Sequence, residues 1–237
     1  MSDWAPKRFW TSTSVEAAGD GYEVRLDGRP LRTPAKAALI LPTRALGERL
    51  AAEWDAQGDV VDPGTMPATR MANSAIDKVG VQRAAVLEHI ASYGGSDLLC
   101  YRAEGPEGLV AAQAREWDPW LDWAEATFGA RLRVTQGILP VPQPEEALHR
   151  LSARTSPLGL FELAGLHDLV GLSGSLVLGL AVAHGAADAD AIWETARLDE
   201  RWQIEQWGAD EEAERVNAAR QQAFSDAAEF FAAARES

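Results

Sequence analysis

A chain of 237 residues that is 46% hydrophobic and 24% charged has enough apolar material for one large core or two smaller ones. Its net charge of −14 argues against nucleic acid and anionic membrane as partners, because phosphate binding needs clustered Lys and Arg and the chain has no such run. The single cysteine, Cys100, excludes an internal disulfide and a cysteine-rich zinc site and suits a reducing compartment.

The first forty residues show the spacing of short strands. Residues 8–14, 22–26, 30–33 and 38–41 are expected to be extended, separated by the turn signals Gly19-Asp20-Gly21, Asp27-Gly28 and Pro34. Pro42 and Thr43 then open a helix to about Gln57, with Leu46, Leu50 and Trp54 on one face that can cover the sheet. Residues 62–67 read as a connection, and 68–79 and 81–93 as helices. Gly94-Gly95 ends the second of these. Ser96 is expected to cap the apolar stretch 97–103, and 106–128 is a long helix carrying Trp117, Trp120 and Trp123 at core spacing.

A brief strand is expected at 131–135 and a rigid linker at 140–144. Helices follow over 145–153, 158–169, 173–184, 188–207 and 210–234. The apolar run 169–183 contains Gly171, Gly174 and Gly179 and is shorter than the roughly 18 to 20 residues a membrane span requires. It reads as a buried helix packed through small residues. The fold class expected is α+β: a small N-terminal antiparallel sheet with a covering helix over 1–80, then a larger all-helical domain over 81–237.

Signals for catalysis are sparse. No GxxxxGK[ST] loop occurs, and Gly19-Asp20-Gly21 lacks the third glycine of a dinucleotide fingerprint. His89, His149, His167 and His184 form no close ligand pair, so neither a metal nor another cofactor is expected. GLSGS at 171–175 has serine where the nucleophile elbow needs its last glycine. His167 and Asp168 project about 100° apart on a helix and are not expected to orient one another. A carboxylate pair would have to face across a substrate, whereas Asp199 and Glu200 are neighbours and Asp210, Glu211 and Glu212 crowd a helix start, where they favour the macrodipole.

The segment LDERWQIEQWGADEEAE, residues 198–214, combines Trp202 and Trp207 with seven carboxylates. Asp188 reads as the N-cap of a helix bearing Trp193, Arg197, Glu200, Ile204 and Trp207. Gly208 ends that helix, and the next is expected to bury Ala213, Val216, Ala223, Ala227 and Phe231. The last 52 residues, 186–237, hold five basic and thirteen acidic side chains, whereas residues 1–80 hold ten and eleven. Such an acidic end favours a basic partner surface, mainly through association rate and specificity.

Eight ordered blocks carry a resemblance over most of the chain: RFW at Arg8, YEVRLDGRPLRTP at Tyr22, EWDAQ at Glu53, MPATRMANSAID at Met66, SDLLCYRA at Ser96, QAREWDP at Gln113, GLSGSLVLGLA at Gly171 and LDERWQIEQWGADEEA at Leu198. Together they resemble the ATP synthase assembly chaperones that bind the alpha subunit of the catalytic head. The resemblance implies a non-enzymatic, ATP-independent chaperone, with no cofactor, whose client is the newly made alpha subunit and its aggregation-prone beta-facing interface. Client-binding residues implied are Asp210, Glu211 and Glu212, supported by Glu205 and Trp207, with Trp54, Arg70, Asn73 and Asp77 as further candidates.

Trp54 also has a structural reading, as an anchor of its helix to the sheet, and Arg70 and Asp77 as intramolecular contacts. The N-terminus MSDWAPKRFW shows neither a signal peptide nor a presequence, so a cytoplasmic protein, or one already processed, is expected. A monomer without stable membrane insertion is also expected. Two other classes stand beside this reading: a general protein-interaction module with another client, and a hydrolase using a concealed carboxylate pair.

Overall fold

The computed structural model describes residues 7–235; most of the N-terminal segment read for leader signals lies outside the described residues. It comprises two compact units. The first is Met1–Arg83, Gly159–Gly165 and Glu229–Ser237, and the second is Ala84–Leu158 and Leu166–Ala228.

In the first unit, β1 (Thr13–Ala18), β2 (Gly21–Leu26) and β3 (Arg29–Pro30) form an antiparallel sheet in sequential order. Thr13 pairs with Leu26 and Ala18 with Gly21. The β2–β3 turn has Asp27 at φ 47° and Gly28 at φ 77°, the double positive φ of a two-residue hairpin whose twist matches the strands. Asp27 also accepts from the backbone N–H groups of Thr11 and Ser12. Those donors hold its carboxyl below the usual range. The sheet departs from expectation at its borders: β1 starts later, Lys7 makes only a bridge to Val60, and Arg32 with Ala38 and Tyr22 with Leu41 form isolated bridges.

Helix α1 (Arg44–Asp55) is capped by Thr43, whose hydroxyl accepts from Leu46 N–H. Leu46 and Leu50 are buried, which seats the helix on the sheet. Trp10, Leu26, Val61 and Met66 form a core cluster against which Trp54 packs. Met66 provides no side-chain cap for α2 (Pro67–Ser74); Glu53 does so from α1, accepting from Ala68 N–H, Thr69 N–H and Thr69 Oγ1. The expected single helix 68–79 changes at Ala75–Val79 to a π-helical turn.

The second unit is mainly helical. Here α3 (Arg83–Ser92) leads into 3-10 turns at Tyr93–Gly95 and Leu98–Cys100, and β4 (Tyr101–Arg102) follows. The cap at Leu98 is Asp97, whose carboxylate accepts from Leu99 N–H, so Ser96 does not take the role expected of it. Helix α4 (Glu107–Phe128) is followed by β5 (Thr135–Gln136), which pairs parallel with β4. Of the three α4 tryptophans only Trp117 is fully buried; Trp120 and Trp123 are half-buried.

Helices α5 (Glu145–Ser152), α6 (Leu160–Ser173), α7 (Leu176–Ala183), α8 (Ala189–Ala196), α9 (Leu198–Trp207) and α10 (Glu211–Ala233) complete the chain. At the GLSGS joint Ser173 closes α6, donating to Leu169 O, while Ser175 caps α7 by accepting from Leu178 N–H. A Cβ at Gly179 would lie 2.5 Å from Val170 Cγ2, so α6 and α7 approach as closely as the small-residue pattern implies. Among the described residues no helix is long and apolar enough to cross a membrane.

Two expectations for the last helices are corrected. Residues 188–207 are not one helix, because Arg197 leaves helical geometry at φ −101°, ψ 17°. Trp117 Nε1 donates to Thr195 O at 2.9 Å, taking a carbonyl that a continuous helix would use internally. Asp188 occupies the N-cap position of α8 but makes no side-chain cap bond. The apolar stripe of α10 is buried only in its second half, through Phe224, Ala227, Phe230, Phe231 and Ala234. Ala213, Val216 and Ala223 are exposed, because nothing among the described residues covers the first half.

Candidate functional site

Helix α9 leaves α4 with its far end in solvent. Its first turn is held down by Gln113, which donates to Asp199 Oδ1 at 2.7 Å and accepts from Ala103 N–H. Trp202 lies against Gly108 of α4, and Arg201 is paired with Glu116 at 2.7 Å and with Glu194 at 3.3 Å. Beyond Trp202 every residue up to Val216 is exposed. Gly208 turns the chain at φ 86°, ψ 166°, a conformation essentially reserved for glycine. Asp210 then starts α10, accepting from Glu212 N–H and Ala213 N–H. Its carboxylate therefore has a structural duty, satisfying two of the orphan donors at a helix start.

Between α9 and the first half of α10 lies a groove of about 540 Å³. One wall presents Glu200, Gln203, Ile204 and Trp207, at the spacing i, i+3, i+4 and i+7. The other presents Glu214, Asn217, Ala218 and Gln221, at the same spacing. Trp207 is 78% exposed, Ile204 42% and Val216 55%. Arg197 is paired with Glu200 at 2.6 Å, so both groove arginines are already paired, and Asp210 and Glu214 are the other carboxylates of the lining.

Of the residues singled out in the sequence, the structure brings Trp207 and Asp210 together in the groove lining. Glu205, Glu211 and Glu212 are exposed on the same helical hairpin without lining the groove. The others lie in the first unit. Trp54 is half-buried, its ring edge-on to Trp10 at 5.1 Å. Asp77 accepts from Ala35 N–H at 3.1 Å. Asn73 has a shielded Oδ1 with no hydrogen-bond partner, and Arg70 is exposed on α2. Sequence reasoning set Glu200 on one helical face with Ile204 and Trp207 and included Glu214 in the segment 198–214 without counting either as a contact, and it missed Asn217 and Ala218. The helical periodicity of Asn217 and Ala218 with Glu214 and Gln221 was readable, but it marks a mostly polar stripe, and the second helix was read for its apolar stripe alone.

Other chemistry-bearing groups have local explanations. His167 Nδ1 does meet Asp168 Oδ1, at 3.0 Å, contrary to the divergence expected of helical neighbours, because both side chains bend together at the surface. Ser173 and Ser175 are buried and engaged in the α6–α7 joint. Cys100 is buried, and burial pushes its thiol up to about 12. Asp97 is raised to about 6 by burial, against the opposing effect of its hydrogen bonds. Among the described residues no group of three or more His, Cys, Asp or Glu could hold a metal ion.

Comparison with known proteins covers nearly the whole chain. Residues 7–125 match the ATP12 chaperone protein family. The crystal structure of Atp12 from Paracoccus denitrificans superposes with a TM-score of 0.94 at 50% identity, over 97% of this chain and 98% of that one. The Atu1473 protein of Agrobacterium tumefaciens gives 0.93 at 43% identity, over 96% and 86%. Mitochondrial protein atp12 of Schizosaccharomyces pombe is 24% identical over 89% of this chain and 77% of its own length. With its small antiparallel sheet, its helical remainder and a family match across half its length, the chain belongs to the ATP12 family of ATP synthase assembly chaperones.

Proposed function

We propose that this chaperone binds the newly made alpha subunit of ATP synthase, shields its beta-facing interface from aggregation and releases it as the catalytic head assembles. The client surface in this reading is the hairpin of α9 and the first half of α10, with Trp207, Glu205, Asp210, Glu211 and Glu212 as contacts. The observation that carries it is Trp207, 78% exposed and lining one groove wall with Ile204 within the most acidic part of the chain. Exposed aromatic and aliphatic groups mark interaction sites, and tryptophan supplies contact area at small entropic cost. Arg70 is a second candidate contact, whereas Trp54, Asn73 and Asp77 act first in folding, given their packing and burial.

Release needs no nucleotide in this scheme. If alpha–beta contacts are tighter than chaperone contacts by about 2.7 kcal/mol, mass action favours handover roughly a hundredfold. The work takes place in the cytoplasm, on a monomeric chaperone.

Glu211 and Glu212 make the cleanest test, because both are exposed and neither side chain caps a helix. Purified alpha subunit diluted from denaturant should stay soluble with the wild-type chaperone. The Glu211→Lys/Glu212→Lys variant should need about tenfold more protein for the same protection. No protection and no complex on gel filtration with wild type would remove the alpha subunit as client. Equal protection by the folded variant would remove only these two contacts.

A further inference from the structure

The groove between α9 and α10 has the form of a seat for a third helix. Along Glu211–Ala223 only Asn217 and Gln221 are even half-buried, and both line the groove. The remaining surface of those thirteen residues faces solvent, and an isolated helix of that length is marginal in water. At 1.5 Å per residue this stretch is about 20 Å long, and the ten residues of α9 span about 15 Å. An occupant matched to both walls is therefore about ten to thirteen residues, or three turns.

The nature of the walls selects helix over strand. Both are α-helices whose backbone groups bond internally, so an extended segment would enter with its own N–H and C=O groups unpaired. A helix brings those bonds satisfied. Ala213 and Ala218 keep one wall low, which permits the interaxial distance of roughly 8 to 10 Å at which helices interlock, while Ile204 and Trp207 supply apolar ridges on the other.

Charge sets the flanks of the occupant. Asp210 and Glu214 contribute carboxylates to the lining, whereas Arg197 is paired with Glu200 and Arg201 with Glu116. We infer that the groove takes a short amphipathic helix of the client, with an apolar stripe flanked by Lys or Arg, packed as a third helix against α9 and α10. This rests on the chaperone reading above and specifies the kind of client segment that the chaperone holds.

The test uses the full chain and labelled synthetic peptides of 14 residues, read by fluorescence anisotropy. One peptide carries Leu at i, i+3, i+4 and i+7 with Lys on the flanks. In the others the stripe is scrambled, Pro interrupts the centre, or Glu replaces Lys. The Lys helix should bind, the scrambled and Pro peptides at least about tenfold more weakly, and the Glu peptide not measurably. Ala218→Trp fills the groove from an exposed position, so it should weaken the Lys helix at least about tenfold with an unchanged melting curve. Equal binding by the Pro peptide, or by Ala218→Trp, overturns the helix-in-groove assignment. If Ala218→Trp still captures alpha subunit as wild type does, the groove falls and the client stands. If wild type fails to capture alpha subunit at all, the chaperone reading fails by itself.

Discussion

Asp97 is fully buried and joins two helix starts eighty residues apart, accepting from Leu99 N–H at the 3-10 turn and from Val177 N–H at the beginning of α7, each at 3.1 Å. Desolvation outweighs these bonds and lifts its carboxyl from 3.8 to about 6. Between those values the folded state holds a proton that the unfolded state has released. Stability from this group is therefore greatest near pH 4, falls as pH rises through about 6 and levels off above, a loss of about 3 kcal/mol. Asp97→Asn cannot ionise, so the wild-type advantage over it should shrink by that amount between pH 4 and 7 in urea unfolding series. Parallel profiles for the two proteins would show that the carboxylate stays ionised in the fold. The sequence shows Asp97 only as a polar residue opening an apolar stretch. Its second partner lies too far along the chain for local pattern to reveal, which is why Ser96 looked the better cap.

At the scale of elements, what local chemistry decides was readable and what distant side chains decide was not. Thr43 ahead of Leu46 and Leu50, and Asp27-Gly28 between strands, determine their own geometry within a few residues. The division of residues 188–207 at Arg197 depends instead on Trp117 reaching Thr195 O, and no helix signal fails at that point in the sequence. Gly208 is the opposite case, since a glycine after a periodic segment announces a stop, and its φ of 86° with ψ 166° explains why nothing else serves. Gly208→Ala should cost about 1 to 3 kcal/mol of local stability. Amide exchange in 203–216 should quicken, with little change around Trp117 or Phe224, which lie in the core. If those amides exchange at the wild-type rate, the α9–α10 hinge does not depend on glycine.

At the scale of the whole chain, the sheet followed by helices was legible, because strand and helix periodicities separate cleanly near residue 42. The return of the chain's end to the first unit was not, since an apolar stripe tells which face is buried but not against what. In that unit Phe230 is fully buried and Phe231 nearly so, and Phe230 lies 6.4 Å from Phe161. Thr43 Oγ1 donates to Ala233 O at 2.5 Å, so the residue that caps α1 also anchors the last helix. Arg49 pairs with Glu229, and Arg235 with Glu162, although exposed pairs of this kind add little. Full burial of each phenylalanine contributes about 1.5 to 3 kcal/mol. Ending the chain after Ala228 should therefore destabilise the first unit by several kcal/mol, even though its sheet lies some two hundred residues away in sequence. Phe230→Ala alone should cost about 3 to 5 kcal/mol, the cavity adding to the lost transfer energy. Urea unfolding followed by amide exchange in strands β1 and β2, residues 13–26, reads the unit directly. An unchanged transition in the truncated protein would mean that residues 7–83 are stable without the end of the chain.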